Sequence, residues 1–191
     1  MGERAYLDHN ATTPLRPAAA EAMTRALQIV GNPSSIHAEG RAARAALDRA
    51  RHQVAAAVGG RARDVVFTSG ATEALATLLR LSPAIVGPSG AAPFVRFIRP
   101  DVEHSAVLAA CNPGGLGVPN DGDGVVRLDA LEALLAQPEA AIVALQAANG
   151  ETGVLQPVAQ AAAMARAAGA LTICDAVAAF AKIPLDIAAL G

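Results

Sequence analysis

Four short polar segments hold the residue types with which this chain could do chemistry. Ser69-Gly70-Ala71-Thr72 follows the apolar run Val65-Val66-Phe67 and opens an amphipathic stretch. A strand that turns straight into a helix presents unpaired backbone N–H groups at the positive end of the helix dipole. That is an anion site, to which the Thr72 hydroxyl can add. Glu103-His104 follows a second apolar run, Ala148-Asn149-Gly150-Glu151-Thr152-Gly153 follows a third, and Asp175 closes Leu171-Thr172-Ile173-Cys174. Singly, each has a plain structural reading: Ser69, Thr72 and Asp175 as helix caps, His104 as a residue at a helix start. Together they offer an anion cradle, an imidazole and a carboxylate.

These groups must be positioned by the elements around them. The spacing predicts strands at 65–68, 94–98, 140–146 and 170–174. It predicts helices at 71–81, 104–111, 128–136 and 157–168. Strand–helix alternation of this kind implies an α/β fold, a mainly parallel sheet with helices on both faces. Ligands of such sheets bind at the carboxyl ends of the strands, where all four segments fall. Ahead of the sheet, residues 6–14 read as an extended arm in which Asp8, Asn10 and Thr12 favour local side-chain bonds. Pro17 opens a helix to about Val30. Gly31-Asn32-Pro33-Ser34-Ser35 breaks the chain. A long helix then runs to about Val58, with an apolar stripe at Ala43, Leu47, Ala50, Val54 and Ala57, and Gly59-Gly60 ends it. Residues 82–93 and 112–124 read as loops, the second with a short strand near Val118. The expected organisation is an N-terminal arm, 1–16, and a partial cofactor-binding large domain, 17–191.

Composition narrows the chemistry. The chain has 191 residues, 53% hydrophobic and 17% charged, with net charge −2. Near-neutrality argues against a nucleic-acid or anionic-membrane partner, since either needs a basic face. No apolar run is long enough for a membrane span, and Met-Gly-Glu-Arg-Ala-Tyr has no signal core. Cys111 and Cys174 are too few for a disulfide framework, and no metal-ligand spacing stands out. A cytoplasmic protein is the expectation. A phosphorylated pyridine ring would use all three groups. Its phosphate would lie on the helix start, the imidazole on the ring face, and the carboxylate on the ring nitrogen. A dinucleotide fits poorly, because Ser-Gly-Ala-Thr-Glu-Ala lacks the G-x-G-x-x-G spacing.

Six motifs in one order carry a family resemblance: Tyr6-Leu-Asp-His-Asn-Ala-Thr-Thr-Pro14; Gly31-Asn-Pro-Ser-Ser-Ile-His37 with Gly40; Phe67-Thr-Ser-Gly-Ala-Thr-Glu73; Glu103-His104 with Ala106-Val107; Gly150-Glu-Thr-Gly-Val154 with Gln156-Pro157; and Asp175-Ala176 with Pro184-Leu185-Asp186. Over residues 6–190 the chain resembles the first half of a cysteine desulfurase of the NifS/IscS type. That group belongs to the class V aminotransferases, within the fold-type I pyridoxal phosphate enzymes. The resemblance implies pyridoxal 5'-phosphate as cofactor, with Gly70, Ala71 and Thr72 at its phosphate, His104 stacked on its ring and moving protons, Asn149 near its phenolic oxygen, and Asp175 on its nitrogen. It also implies L-cysteine as substrate, alanine and a protein-bound persulfide as products, a sulfur-acceptor protein serving iron–sulfur assembly or another pathway, and a homodimer.

The chain departs from that pattern. Gly150 stands where the family has a second Asn, and Ala178 where it has Gln. The family's covalent lysine and sulfur-accepting cysteine lie beyond the region matched. The single lysine, Lys182, matches a different position, and neither Cys111 nor Cys174 matches the sulfur acceptor. The chain alone is therefore expected to be inactive, truncated before the lysine, with weak non-covalent cofactor binding. Two other readings stand beside this one: a non-catalytic homologue or half of a split enzyme that binds a partner, and another class V enzyme such as a selenocysteine lyase.

Overall fold

The computed structural model describes residues 5–81, 96–111 and 114–191. The expected loop at 82–93, the start of the strand expected at 94–98, and residues 112–113 of the second loop lie outside the described residues. The chain forms two compact units, Met1–Val66 and Phe67–Gly191.

In the first unit the arm folds on itself as its side chains dictate. The Tyr6 hydroxyl donates to the carbonyls of Asp8 (2.9 Å) and Thr12 (3.1 Å). Helix α1 spans Pro17–Leu27, with proline at its first position, where a missing N–H costs nothing. Asn32 Oδ1 accepts the Ser34 N–H at 2.9 Å, and the turn this makes delivers the chain to α2, Ala38–Ala57. His37 caps α2, its Nδ1 accepting the Gly40 N–H at 3.3 Å. The helix stops where Gly59 adopts φ 65° and the Gly60 N–H reaches the Ala55 carbonyl at 2.8 Å. The buried stripe departs from expectation in its second half. Ala43 and Ala55 are buried, while Val54 is 37% exposed and Ala57 lies on the open side. A strict three-and-four count drifts around a 3.6-residue helix, and the buried face follows the geometry.

Gly40 sits where the breaker crosses α2. A Cβ there would lie 2.3 Å from the Ser35 carbonyl oxygen, inside any permissible contact and against backbone. Gly40→Ala is expected to cost about 1–3 kcal/mol through this overlap. The thermal midpoint of the variant checks it; an unchanged midpoint would mean that the crossing has room to open.

The second unit is built on a four-stranded parallel sheet in the order β2-β1-β3-β4. The strands are β1 Arg96–Pro100, β2 Leu116–Val118, β3 Ala141–Gln146 and β4 Leu171–Asp175. Helices α3 Ala71–Leu81, α4 Ser105–Ala110, α5 Leu128–Leu135, α6 Val158–Ala167 and the short α7 Ile187–Leu190 complete the unit. Every residue of β3 is buried, as a central strand covered on both faces requires. Its side chains alternate between two cores. Ile142 and Ala144 pack with Leu75 and Leu79 of α3 and Val107 of α4. Ala141, Val143 and Leu145 pack with Leu131 and Leu135 of α5 and Val158, Ala161 and Ala165 of α6. Alanines on α6 let that helix approach the sheet closely.

The expected strand at 65–68 is not one. Among the described residues, 65–68 join no strand, and Val66 and Phe67 are 80% and 48% exposed. An apolar run reports a capacity for burial, and a strand also needs a neighbour to share its hydrogen bonds. The other expected strands form within two residues of their predicted ends, including the short one at Val118. Among the described residues no helix is long and apolar enough to cross a membrane.

Candidate functional site

The carboxyl ends of β1, β3 and β4 are tied together by hydrogen bonds. The chain leaving β1 turns through Asp101 to His104. The Val102 carbonyl in that turn accepts from Gln146 Nε2 (2.9 Å) and Asn149 Nδ2 (3.0 Å). Glu103 Oε1 accepts the Gln146 N–H at 2.8 Å, and the Asp175 carbonyl accepts the Ala147 N–H at 2.7 Å. Glu103, His104, Asn149 and Asp175 therefore occupy one edge. Gly70, Ala71 and Thr72 stand at the start of α3, whose body packs on α4 and touches β4.

Each group has a local reason for its place. His104 caps α4, its Nδ1 accepting the Ala106 N–H at 3.1 Å. With that lone pair engaged, the neutral ring carries its proton on Nε2, and the ring itself is exposed. Asp175 Oδ1 accepts the Val177 N–H at 2.9 Å and stays half-buried, its second oxygen available to a ligand. At α3, Glu73 folds back onto Ser69, accepting the Ser69 hydroxyl at 2.5 Å and the Ser69 N–H at 2.7 Å. Those bonds, the hydroxyl's foremost, hold the Glu73 carboxyl below its usual range. The amides of Ala71 and Thr72 belong to the first turn, where a helix has no partners of its own. A methyl placed on Gly70 would meet nothing within 4 Å, so the approach to this turn is open.

Asn149 is the most engaged of the expected site residues. Its Oδ1 accepts the N–H groups of Glu151 and Thr152, both at 2.9 Å, while its Nδ2 holds Val102. An amide nitrogen has a second hydrogen, and among the described residues that one has no partner. Lys182 is exposed in the turn after β4. Burial pushes the Cys111 thiol up, and burial with the charges of Asp175 and Glu103 pushes Cys174 up to about 11, so both remain thiols at neutral pH. Among the described residues no cluster of His, Cys, Asp and Glu could hold a metal ion.

Glu103 is the residue whose part the sequence did not disclose. It is 5% exposed, and its carboxyl is pushed up to about 7, chiefly by burial. A Glu beside a His after an apolar run is the signal. The imidazole draws the attention, and burial of the carboxyl becomes visible only in three dimensions.

The parallel sheet covered by helices on both faces, with the polar edge just described, is the large-domain architecture of fold-type I pyridoxal phosphate enzymes. The match to the family described as aminotransferase class-V runs over residues 5–191, and the chain belongs to that family. It is 44% identical to a cysteine desulfurase of Cereibacter sphaeroides over 96% of this chain and 48% of that one. It is 38% identical to an IscS-like cysteine desulfurase of Mycobacterium tuberculosis over 98% of this chain and 49% of that one. Among solved structures, a NifS-like protein from Rickettsia africae superimposes with TM-score 0.84 at 33% identity, over 97% of this chain and 51% of that one. The chain thus spans about half the length of the relatives it matches.

Proposed function

We propose that this chain is the cofactor-cradling part of a pyridoxal phosphate-dependent cysteine desulfurase. The observation that carries the reading is the gathering of His104, Asn149 and Asp175 on one sheet edge, in a chain that matches cysteine desulfurases over nearly its whole length. The donor set fits the cofactor. Gly70, Ala71 and Thr72 receive its phosphate on the open first turn of α3. Asp175 takes the ring nitrogen with its free oxygen, which keeps that nitrogen protonated. The bound group supplies an electron sink for the bonds around the substrate α-carbon. His104 would stack on the ring, and with its Nδ1 held by the Ala106 N–H its Nε2 would hold or move a proton. Asn149 would offer its second Nδ2 hydrogen to the phenolic oxygen. Residues 17–191 then belong to the large domain, behind an arm at 1–16.

In this reading the whole protein removes sulfur from L-cysteine, leaves L-alanine and passes a persulfide to an acceptor protein. It works in the cytoplasm as a homodimer, without nucleic acid or membrane. The chain's own residues support the cradle and not the transfer. Lys182 is in the turn beyond β4, and both thiols are held protonated, where a sulfur acceptor needs a thiolate. A second reading, a non-catalytic partner-binding homologue, is favoured by Gly150, Ala178 and the engagement of Asn149 by its own loop.

The test adds pyridoxal 5'-phosphate and then L-cysteine to the 191-residue chain. The expected outcome is reversible cofactor binding, removed by desalting, with no sulfide or alanine released. Turnover would overturn the assignment of the chemistry to residues outside this chain. Failure to bind the cofactor at all would favour the second reading.

A further inference from the structure

A carboxyl group in a protein interior must have its charge matched or keep its proton. Glu103 Oε1 has the Gln146 N–H, but Oε2 is shut away from solvent with no hydrogen-bond partner among the described residues. The groups that act on it come from each element around it: Asp175 and Cys174 from β4, Arg99 from β1, and Cys111 at the end of α4. Asp175 opposes a charge on Glu103. Arg99 favours one, but weakly: its Nη1 is paired with Asp101, while its buried Nε has no hydrogen-bond partner among the described residues and makes no bond to Glu103. The thiols stay neutral. On either side in sequence, the Val102 carbonyl holds two side-chain amides and His104 is fixed on the start of α4. Glu103 is the pin through the middle of that turn.

We propose that Glu103 is a positioning residue of the cradle: as a neutral acid it fastens the Val102–His104 turn to β3 and leaves the negative charge of this edge on Asp175. Its purpose rests on the cofactor reading above, whereas the pin and its proton are properties of the chain itself. The sign follows from linkage. The folded chain keeps a proton to about pH 7 that the unfolded chain releases near 4.5. The stability due to this group is therefore whole below about 4.5, falls as the pH climbs to about 7, and is level beyond.

The experiment compares the full chain with Glu103→Gln and Glu103→Ala. Glu103→Gln keeps an acceptor for Gln146 and cannot ionise. Three readouts are taken between pH 4 and 8.5: the Gln146 amide resonance, the thermal midpoint, and the affinity for pyridoxal 5'-phosphate. In the native chain the Gln146 resonance is expected to shift with a midpoint near pH 7, and in Glu103→Gln to stay still. The native midpoint temperature should decline relative to Glu103→Gln as the pH rises from 4.5 to 7. Cofactor affinity should be severalfold higher in Glu103→Gln than in the native chain at pH 8.5 and equal at pH 5.5, with Glu103→Ala up to about tenfold weaker at both, the upper range of one neutral hydrogen bond. A Gln146 titration below pH 5, or parallel affinity profiles in all three proteins, overturns the proposal. If no variant binds the cofactor, the cofactor reading falls, and the Gln146 titration still decides whether Glu103 is a neutral pin.

Discussion

Asp175→Asn is expected to weaken pyridoxal 5'-phosphate binding about 10- to 100-fold while leaving the fold in place. A hydrogen bond to a charged group contributes about 1.5–3 kcal/mol, and about 1.4 kcal/mol is tenfold in affinity. Asparagine keeps an acceptor for the Val177 N–H, and the Asp175 carbonyl that holds Ala147 is backbone. Melting should therefore shift by only a few tenths of a kcal/mol, as for other substitutions that preserve local bonds. The measurement pairs a cofactor titration with a melting curve. Equal affinity in the two proteins would remove Asp175 from the ring nitrogen, and a large loss of stability would make it a structural residue first. The variant also acts on its neighbour. Removing the Asp175 charge relieves one of the effects that raise Glu103, so the Glu103 titration should move down toward the ordinary carboxyl range.

The other large effect is expected in the core. Leu145 is 1% exposed on the face of β3 that meets α5 and α6. Leu145→Ala removes buried methyl groups and leaves a cavity that a parallel sheet bonded on both sides cannot close. About 2–5 kcal/mol should be lost, or ~2–4 °C of melting temperature for each kcal/mol. Denaturant unfolding measures it. A loss under about 1 kcal/mol would show that the alanine-rich α6 settles into the gap.

Much of this fold could be read from residue order because its helices are marked at their ends. Pro17 at the start of α1, Gly59 at the end of α2 and the Ser69-Gly70 turn before α3 are local signals, fixed by backbone geometry that does not depend on the rest of the chain. β3 was legible for another reason, since six consecutive residues fit for burial have few other places to go. Val65–Phe67 shows the limit of that logic. The same kind of run forms no strand among the described residues, because hydrophobicity does not name a neighbour. β1 ends at Pro100, two residues beyond the expected end at 98. Arg96 lies along the sheet, where its guanidinium reaches the Leu134 carbonyl at 2.7 Å. In the site, His104 and Asp175 were visible as residue types at strand ends. The burial of Glu103 and the anchoring of Asn149 to Val102 were not, because each depends on atoms more than forty positions away.

The Asn149 loop also bears on how this sequence can drift. Backbone bonds between Asn149 and Val154 and between Gly153 and Asn149 close it, and the Asn149 side chain gathers the amides of Glu151 and Thr152 on its oxygen and anchors to Val102 by its nitrogen. Position 150 contributes no side chain to that closure. A side chain gained at 150 can add a contact to a ligand while the bonds made by the Asn149 side chain stay as they are. At 149 no such freedom exists: a change there would be felt by the fold before it was felt by any substrate.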